Sequence, residues 1–236
     1  MITNQILSRM RTGEKAYGCT LEFPCAPIVE LLGLAGLNYI MLDGEHGVFS
    51  LESVEQMCRA ADVAGLTTIA RVHEVSPSVI LRFLDRGVLG IVGPHVSTRQ
   101  QAQMLADACR FAPRGKRSYA STRGNAYGAP TPLREFMAHM NDQILVIAQL
   151  EDREALANLS EIIAVEGIDL FSYGPNDLAL SMGFPGEPDH PQVQAAMQTA
   201  GERIHAAGKR LASDVLVAIT VASLIVDGAR AFRRHT

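Results

Sequence analysis

The stretch "NYIMLDGEHGVFSLESVEQMCRAADVAGLTTIARV", residues 38–72, decides the fold. It opens with a short apolar run, Tyr39-Ile40-Met41-Leu42, which stops at Asp43-Gly44-Glu45-His46-Gly47. In "LESVEQMCRAADV" (51–63) apolar residues then recur every three or four positions, as on one face of a helix. Gly65 closes that pattern, and "TTIARV" (67–72) is again short and β-prone. Strand, helix and strand in this order form a βαβ unit, whose crossover is right-handed and whose two strands are parallel.

The unit recurs along the chain. β-prone runs occupy 16–23, 38–43, 67–72, 88–94, 144–151, 169–175, 210–214 ("RLASD") and 229–232 ("ARAF"). Helical patterns separate them, the last being "LVAITVASLIVDG" (216–228). Eight such runs predict an α/β fold of the (β/α)8 TIM-barrel type, with residues 1–236 as one domain. An open doubly wound sheet is the alternative. Its dinucleotide-binding form is disfavoured, because no Gly-x-Gly-x-x-Gly follows the first run. Segment 112–142 breaks the rhythm; rich in Gly, Pro, Ser and Arg, it reads as a long loop.

Composition narrows the function. The chain has 236 residues, 47% of them hydrophobic, enough for a substantial core. A net charge of −4 with no basic block argues against a nucleic-acid surface. The N-terminus lacks the apolar core of a signal peptide. No apolar run approaches the roughly 20 residues that span a membrane. Cys19, Cys25, Cys58 and Cys109 form no C-x-x-C pair, as expected of reduced thiols in a cytoplasmic protein.

In a barrel, the chemistry gathers at the C-terminal ends of the strands. Here those ends carry Asp43, Glu45 and His46; Arg71, His73 and Glu74; Gln149, Glu151 and Asp152; and Gly174-Pro175-Asn176-Asp177. Each residue has a plain structural reading. Asp43-Gly44 fits a turn, His46 a loop histidine bonded to backbone, and Asp177 a helix N-cap. Glu151 fits a surface pair with Arg153. His95, His139, His190, His205 and His235 are read as structural or solvated. The convergence of acids, an imidazole and a guanidinium from four strand ends is harder to explain that way.

Glu151 and Asp177, with Gln149 nearby, make an oxygen-donor site suited to a hard divalent cation such as Mg²⁺, Mn²⁺ or Co²⁺. Two carboxylates leave room for a chelating 2-keto acid, and such a cation acts as a Lewis acid on its carbonyl. Arg71 would face an oxyanion formed there, and His46, oriented by Asp43, would transfer protons. A Schiff-base route needs a lysine at a strand end. Lys15 and Lys209 precede strands and Lys116 lies in the long segment. No Gly-x-Ser-x-Gly elbow is present.

"LDGEHG", "ARV", "PRGKR", "QLE", "GPNDLALSMGFPGEPDHPQVQ" and "IHAAGK" together resemble the metal-dependent class II pyruvate aldolases of the 2,4-dihydroxyhept-2-ene-1,7-dioate aldolase family, the hydroxy-keto-acid aldolases. The resemblance runs along almost the whole chain. It implies a (β/α)8 barrel that reversibly cleaves 4-hydroxy-2-keto acids to pyruvate and an aldehyde, assembled as a hexamer or trimer of dimers. It implies Glu151 and Asp177 as metal ligands and Arg71 as the enolate-stabilising arginine. His46 with Asp43 matches the dyad that takes the C4-hydroxyl proton through water. Gln149 and the Gly174, Pro175 and Asn176 segment match the keto-acid pocket. Asp85, in "FLDRG", matches an acid given to a neighbouring subunit's site. The tail "GARAFRRHT" departs from the family's final strand, turn and helix, so a truncated last helix is expected. Arg123, in the long segment, is a candidate for the distal carboxylate of some aldehydes. A CoA-ester lyase of the malyl or citramalyl type, using Arg114, Lys116, Arg117 and the Arg233-Arg234 tail for phosphates, is the closest rival. A non-catalytic keto-acid binding protein is another.

Overall fold

A computed structural model describes residues 3–129 and 132–234, so His235 lies outside the described residues. In chain order the elements are α1 (Gln5–Thr12), β1 (Ala16–Leu21), α2 (Ala26–Leu34), β2 (Tyr39–Asp43), α3 (Leu51–Val63), β3 (Thr67–Arg71), α4 (Pro77–Asp85), β4 (Gly90–Gly93) and α5 (Arg99–Cys109). There follow a 3₁₀ turn (Arg123–Gly128), α6 (Leu133–Gln143), β5 (Leu145–Leu150), α7 (Arg153–Ala157), α8 (Leu159–Ile163), β6 (Leu170–Tyr173) and α9 (Pro175–Met182). The chain ends with α10 (Pro191–Ala206), α11 (Ala212–Val215), β7 (Leu216–Thr220) and α12 (Val221–Arg234).

The strands form one parallel sheet of seven, in the order β6-β5-β4-β3-β2-β1-β7. The sheet curves into an open half-barrel whose two ends are β6 and β7, which corrects the expected closed barrel of eight strands. The departure lies wholly in the C-terminal part. "RLASD" supplies only one β-bridge, Leu211 to Phe171, with the Phe171 N–H donating to the Arg210 carbonyl at 3.0 Å. The chain then turns helical at Ala212, where the Asp214 carboxylate accepts the Leu211 N–H at 2.8 Å. "LVAIT", expected to be helical, is β7; "ARAF", expected to be a strand, lies within α12. Only α11 separates Leu211 from β7, whereas adjacent parallel strands need a crossover of about a dozen residues. A full strand at 210–214 with β7 as its parallel neighbour is therefore ruled out by chain length. β7 pairs instead with β1, from Ala16↔Leu216 to Thr20↔Thr220. The last helix, expected to be cut short, runs 14 residues.

Two main cores hold the fold, and a third, small cluster of Leu178, Ala179 and Val193 joins α9 to α10. The larger lies between the sheet and its outer helices and includes Leu42, Ile80, Leu105 and Phe171. The smaller lies inside the curve and includes Ile6, Tyr39, Ile69, Ile147 and Leu170. Asn4 caps α1 and donates to the Leu89 and Gln143 carbonyls, just before β4 and β5, which seats α1 across the N-terminal ends of the strands. The expected long loop is partly helical, and its residues 130–131 lie outside the described residues. All four cysteines are free. Among the described residues no helix is long and apolar enough to cross a membrane.

Tyr39 ties β7 to the interior. Its ring lies against Gly18, where a Cβ would sit 2.4 Å from the ring. Its hydroxyl donates to the Val217 carbonyl at 3.4 Å. Gly18→Ala should therefore destabilise the protein by about 1–3 kcal/mol through overpacking, measured as a lower urea midpoint. Adding Tyr39→Leu should recover part of the loss. An unchanged midpoint in the single variant would show that the contact is slack.

Candidate active site at the strand ends

The parallel register builds the site. Asp43 and Arg71 are register partners at the ends of β2 and β3. The Arg71 guanidinium donates from Nε to Asp43 Oδ1 at 3.1 Å and from Nη2 to Oδ2 at 2.7 Å. Asp43 Oδ1 also accepts the N–H groups of Glu45 and His46 at 3.2 and 3.1 Å. Burial alone would raise the Asp43 carboxyl. Arg71 and these N–H groups outweigh it and hold the pKa below the usual carboxylate range.

The loop after β2 is bound down on all sides. Gly44 N–H donates to the Arg71 carbonyl at 2.8 Å, and Val48 N–H to the Glu22 carbonyl at 2.9 Å. Gly47 packs so tightly that a Cβ would lie 2.3 Å from the Asp43 carbonyl oxygen. The loop thus carries the exposed His46 onto the cavity rim. Asp43 reaches His46 through its backbone N–H. The imidazole itself makes no hydrogen bond among the described residues.

A chain of polar contacts runs on from Arg71. Its Nε lies 3.3 Å from Glu45 Oε2, and Glu45 Oε1 lies 3.2 Å from His95 Nε2. His95 Nδ1 lies 3.3 Å from Glu151 Oε1, which also accepts the His95 backbone N–H at 2.7 Å. Gln149 Nε2 donates to Glu151 Oε2 at 2.5 Å. Glu151 is 1% exposed. Burial raises its pKa, Glu45 pushes the same way, and the His95 and Gln149 donors oppose the rise.

Past β6, Gly174 passes so close to Glu151 that a Cβ would lie 2.1 Å from Oε2. Pro175 then starts α9, and its first turn brings Asn176 and Asp177 to the cavity. The Asp177 carboxylate has no partner among the described residues. His46, Arg71, Gln149 and the 174–177 segment all line one cavity of about 520 Å³. A wider cleft of about 770 Å³ lies outside the sheet along α5, and no comparable set of acids and imidazole converges there.

Two candidates fall elsewhere. Asp85 ends α4, buried 3.9 Å from Arg117 and 3.4 Å from the Asn125 amide. Arg123 pairs with Asp62 and donates to the Arg86 carbonyl, next to the N-terminal ends of β3 and β4. Both therefore sit on the rim opposite the cavity. Arg114 and Lys116, candidates for a phosphate surface, are paired with Asp142 and Asp107. Arg117 is buried over the Phe111 ring.

Sequence reasoning missed His95 and Ser172. His95 stands two residues after the end of β4, at a φ of 50°, between Glu45 and Glu151. The strand-end rule that picked out His46 applies equally to "GIVGPH". Ser172 is the register partner of Gln149, and its buried Oγ has no partner among the described residues. No local signal marks it.

The family model described as HpcH/HpaI aldolase/citrate lyase matches residues 25–235. The 2-keto-3-deoxy-L-rhamnonate aldolase of Shigella sonnei strain Ss046 is 34% identical over 211 residues, covering 89% of this chain and 78% of that protein. The crystal structure of an HpcH/HpaI aldolase/citrate lyase family protein from Burkholderia cenocepacia J2315 superposes with a TM-score of 0.84 at 28% identity, covering 99% of each chain. That of an HpcH/HpaI aldolase from Desulfitobacterium hafniense DCB-2 gives 0.87 at 23% identity, covering 96% of this chain and 95% of that one.

Asp43→Asn tests the anchor. The folded pKa of Asp43 is depressed, so its contribution to stability is present above the unfolded value near 4 and fades as pH falls through the folded value. The variant should have a lower urea midpoint than the wild type at pH 7, and the gap should close in acid below about pH 4. A gap that stays constant down to pH 2 would mean that the charge of Asp43 is not what matters.

Proposed function

The chain belongs to the HpcH/HpaI aldolase/citrate lyase family and is a carbon–carbon lyase, and from this we propose that it forms and cleaves 4-hydroxy-2-keto acids, with pyruvate or a related 2-keto acid as one product and an aldehyde as the other. One observation carries the reading. Gln149, the arginine clamped by carboxylates, Asp177 and an unbonded imidazole open into a single cavity beside the buried Glu151.

The residues fit a divalent cation. Glu151 is a buried carboxylate close to a second acid, Glu45; its hydrogen-bond donors are an amide and a backbone N–H, with the His95 imidazole 3.3 Å away. Burying such a charge is costly without a counter-charge. Asp177 offers a second, unengaged carboxylate. Oxygen donors of this kind favour a hard ion, so Glu151 and Asp177 would hold Mg²⁺, Mn²⁺ or Co²⁺. When bound, the ion polarises the keto group.

The chain's own groups supply the remaining chemistry. Backbone N–H groups in the first turn of α9 receive the keto-acid carboxylate, favoured there by the helix dipole. Gly174 keeps that approach clear. Arg71, fixed by Asp43, offsets the charge of the enolate oxygen. His46 takes the proton of the C4 hydroxyl, directly or through a water, and the C3–C4 bond breaks to give the enolate and the aldehyde. Protonation of the enolate at C3 completes pyruvate. Asp85 and Arg123 lie on the far rim, so any part they play requires the cavity of a second subunit. We propose a homo-oligomer on that ground and on the resemblance.

Pyruvate release from a 4-hydroxy-2-keto acid, with and without chelator, is the direct test. Glu151→Gln or Asp177→Asn should abolish metal binding and nearly all turnover. Borohydride with pyruvate should leave the enzyme active; a reduced adduct on a lysine would overturn the scheme. His46→Ala should slow cleavage by about 10²–10⁴-fold. Metal-dependent decarboxylation of oxaloacetate, where the protein catalyses it, should suffer less. Equal losses in both reactions would make His46 a structural residue.

A further inference from the structure

The cavity has two halves of opposite character. Its rim is polar, while β2, β4, β5 and β7 turn Met41, Val92, Ile147 and Leu216 into it below, joined by Ala218 and floored by Tyr39. Strand periodicity explains the split. Met41 stands two residues before Asp43, and Ile147 two before Gln149, so each lies on the same face of its strand one rung deeper. In the register of β7 with β1, Ala218 stands beside Gly18; the Tyr39 ring fills the space over Gly18, while the small side chain of Ala218 leaves room in the cavity wall. The gap between β6 and β7 removes a further strand's side chains from this wall. Among the described residues the buried, unpartnered Ser172 Oγ lies level with Gln149, at the top of the shaft, and Ser213, just before β7, is the polar side chain at its lower end.

Pyruvate has six non-hydrogen atoms, and anchoring it at the rim leaves most of the 520 Å³ empty. An apolar shaft is a poor site for water, which needs two to four polar partners. It is a good site for hydrocarbon. The keto-acid end of the substrate sits at the inner part of the rim, by Arg71 and Gln149, whereas the aldehyde lies outward towards the exposed His46. The group that reaches the shaft is therefore the substituent on C3 of the keto acid. We propose that this site takes, as nucleophile and product, 2-keto acids with a straight aliphatic side chain, and binds them more tightly than pyruvate. The proposal rests on the aldolase reading for the placement of the keto acid.

The test is a series of pyruvate, 2-oxobutanoate, 2-oxopentanoate and 2-oxohexanoate with Mn²⁺. Dissociation constants are measured by calorimetry, and KM values in aldol addition to glycolaldehyde. Each methylene buried should tighten binding about three- to fourfold, up to the length of the shaft. Ala218→Leu, which fills the shaft, should flatten the series; a thermal melt confirms that the variant is folded. A flat or rising series in the wild type overturns the proposal. So does a folded Ala218→Leu protein that keeps the preference for longer acids. Tightening with chain length but no turnover of any donor would support the shaft and reject the aldolase reading.

Discussion

The pair between Asp43 and Arg71 is the contact on which the site depends. Arg71 is largely withdrawn from water at the end of β3, and an unpaired guanidinium there would be costly. Asp43 removes that cost with two charge-assisted hydrogen bonds, while two N–H groups of its own loop complete its acceptor capacity. One carboxylate thus fixes both the cation and the loop that bears His46. From Arg71 the polar chain continues through Glu45 and His95 to Glu151 and Gln149. Along it stand three carboxylates, one guanidinium and an imidazole. On the proposed reading, this excess of negative charge around buried oxygen atoms would draw a divalent cation to the rim, and that cation would in turn admit the anionic keto acid.

The part of this site that was legible in the sequence follows from one rule. Residues at the C-terminal ends of parallel strands share a rim, and Asp43, Arg71, Gln149, Glu151 and Asp177 could be placed there from the rhythm of strands and helices alone. Which neighbour each would choose could not. Asp43 lies three residues from His46 and 28 from Arg71, yet its side chain engages the guanidinium and meets His46 only through the backbone. The two residues are brought together by register, a property of paired strands and not of either segment. His95 was passed over for a different reason. It stands after a proline in a left-handed conformation that a histidine seldom adopts, and nothing nearby in sequence hints at the two acids it meets.

The stretch from residue 210 onward was misread because short apolar runs carry no decisive period. "LVAITVASLIV" satisfies a helix and a strand equally well. The outcome is set by what remains unpaired elsewhere. The open edge of β1 accepts five residues of β7 in register, while "RLASD" can spare only Leu211 before Asp214 draws the backbone into a helical turn. The four residues left between them cannot make a crossover. Connection length, more than residue preference, thus decided that the sheet would have two ends.

Those two ends affect the rim and the interior differently. The Asp43, Arg71, Gln149 and Glu151 side chains are carried by β2, β3 and β5, and the 174–177 segment follows β6, so the rim is complete without a strand between β6 and β7. Its rigidity comes from pairings within the continuous part of the sheet. The interior, by contrast, is filled by inward side chains from every strand, and an absent strand is felt there as missing volume. Packing elsewhere does not compensate: β7 leaves Val217 and Ile219 more than a third exposed, at 38% and 39%, and α12 turns Leu224, Ile225 and Phe232 outward. Apolar burial is forgone on the outside of this corner and space is left on the inside. The proposed chemistry and size selection would consequently reside in separable parts of one cavity, the first set by strand ends and the second by how far the sheet closes.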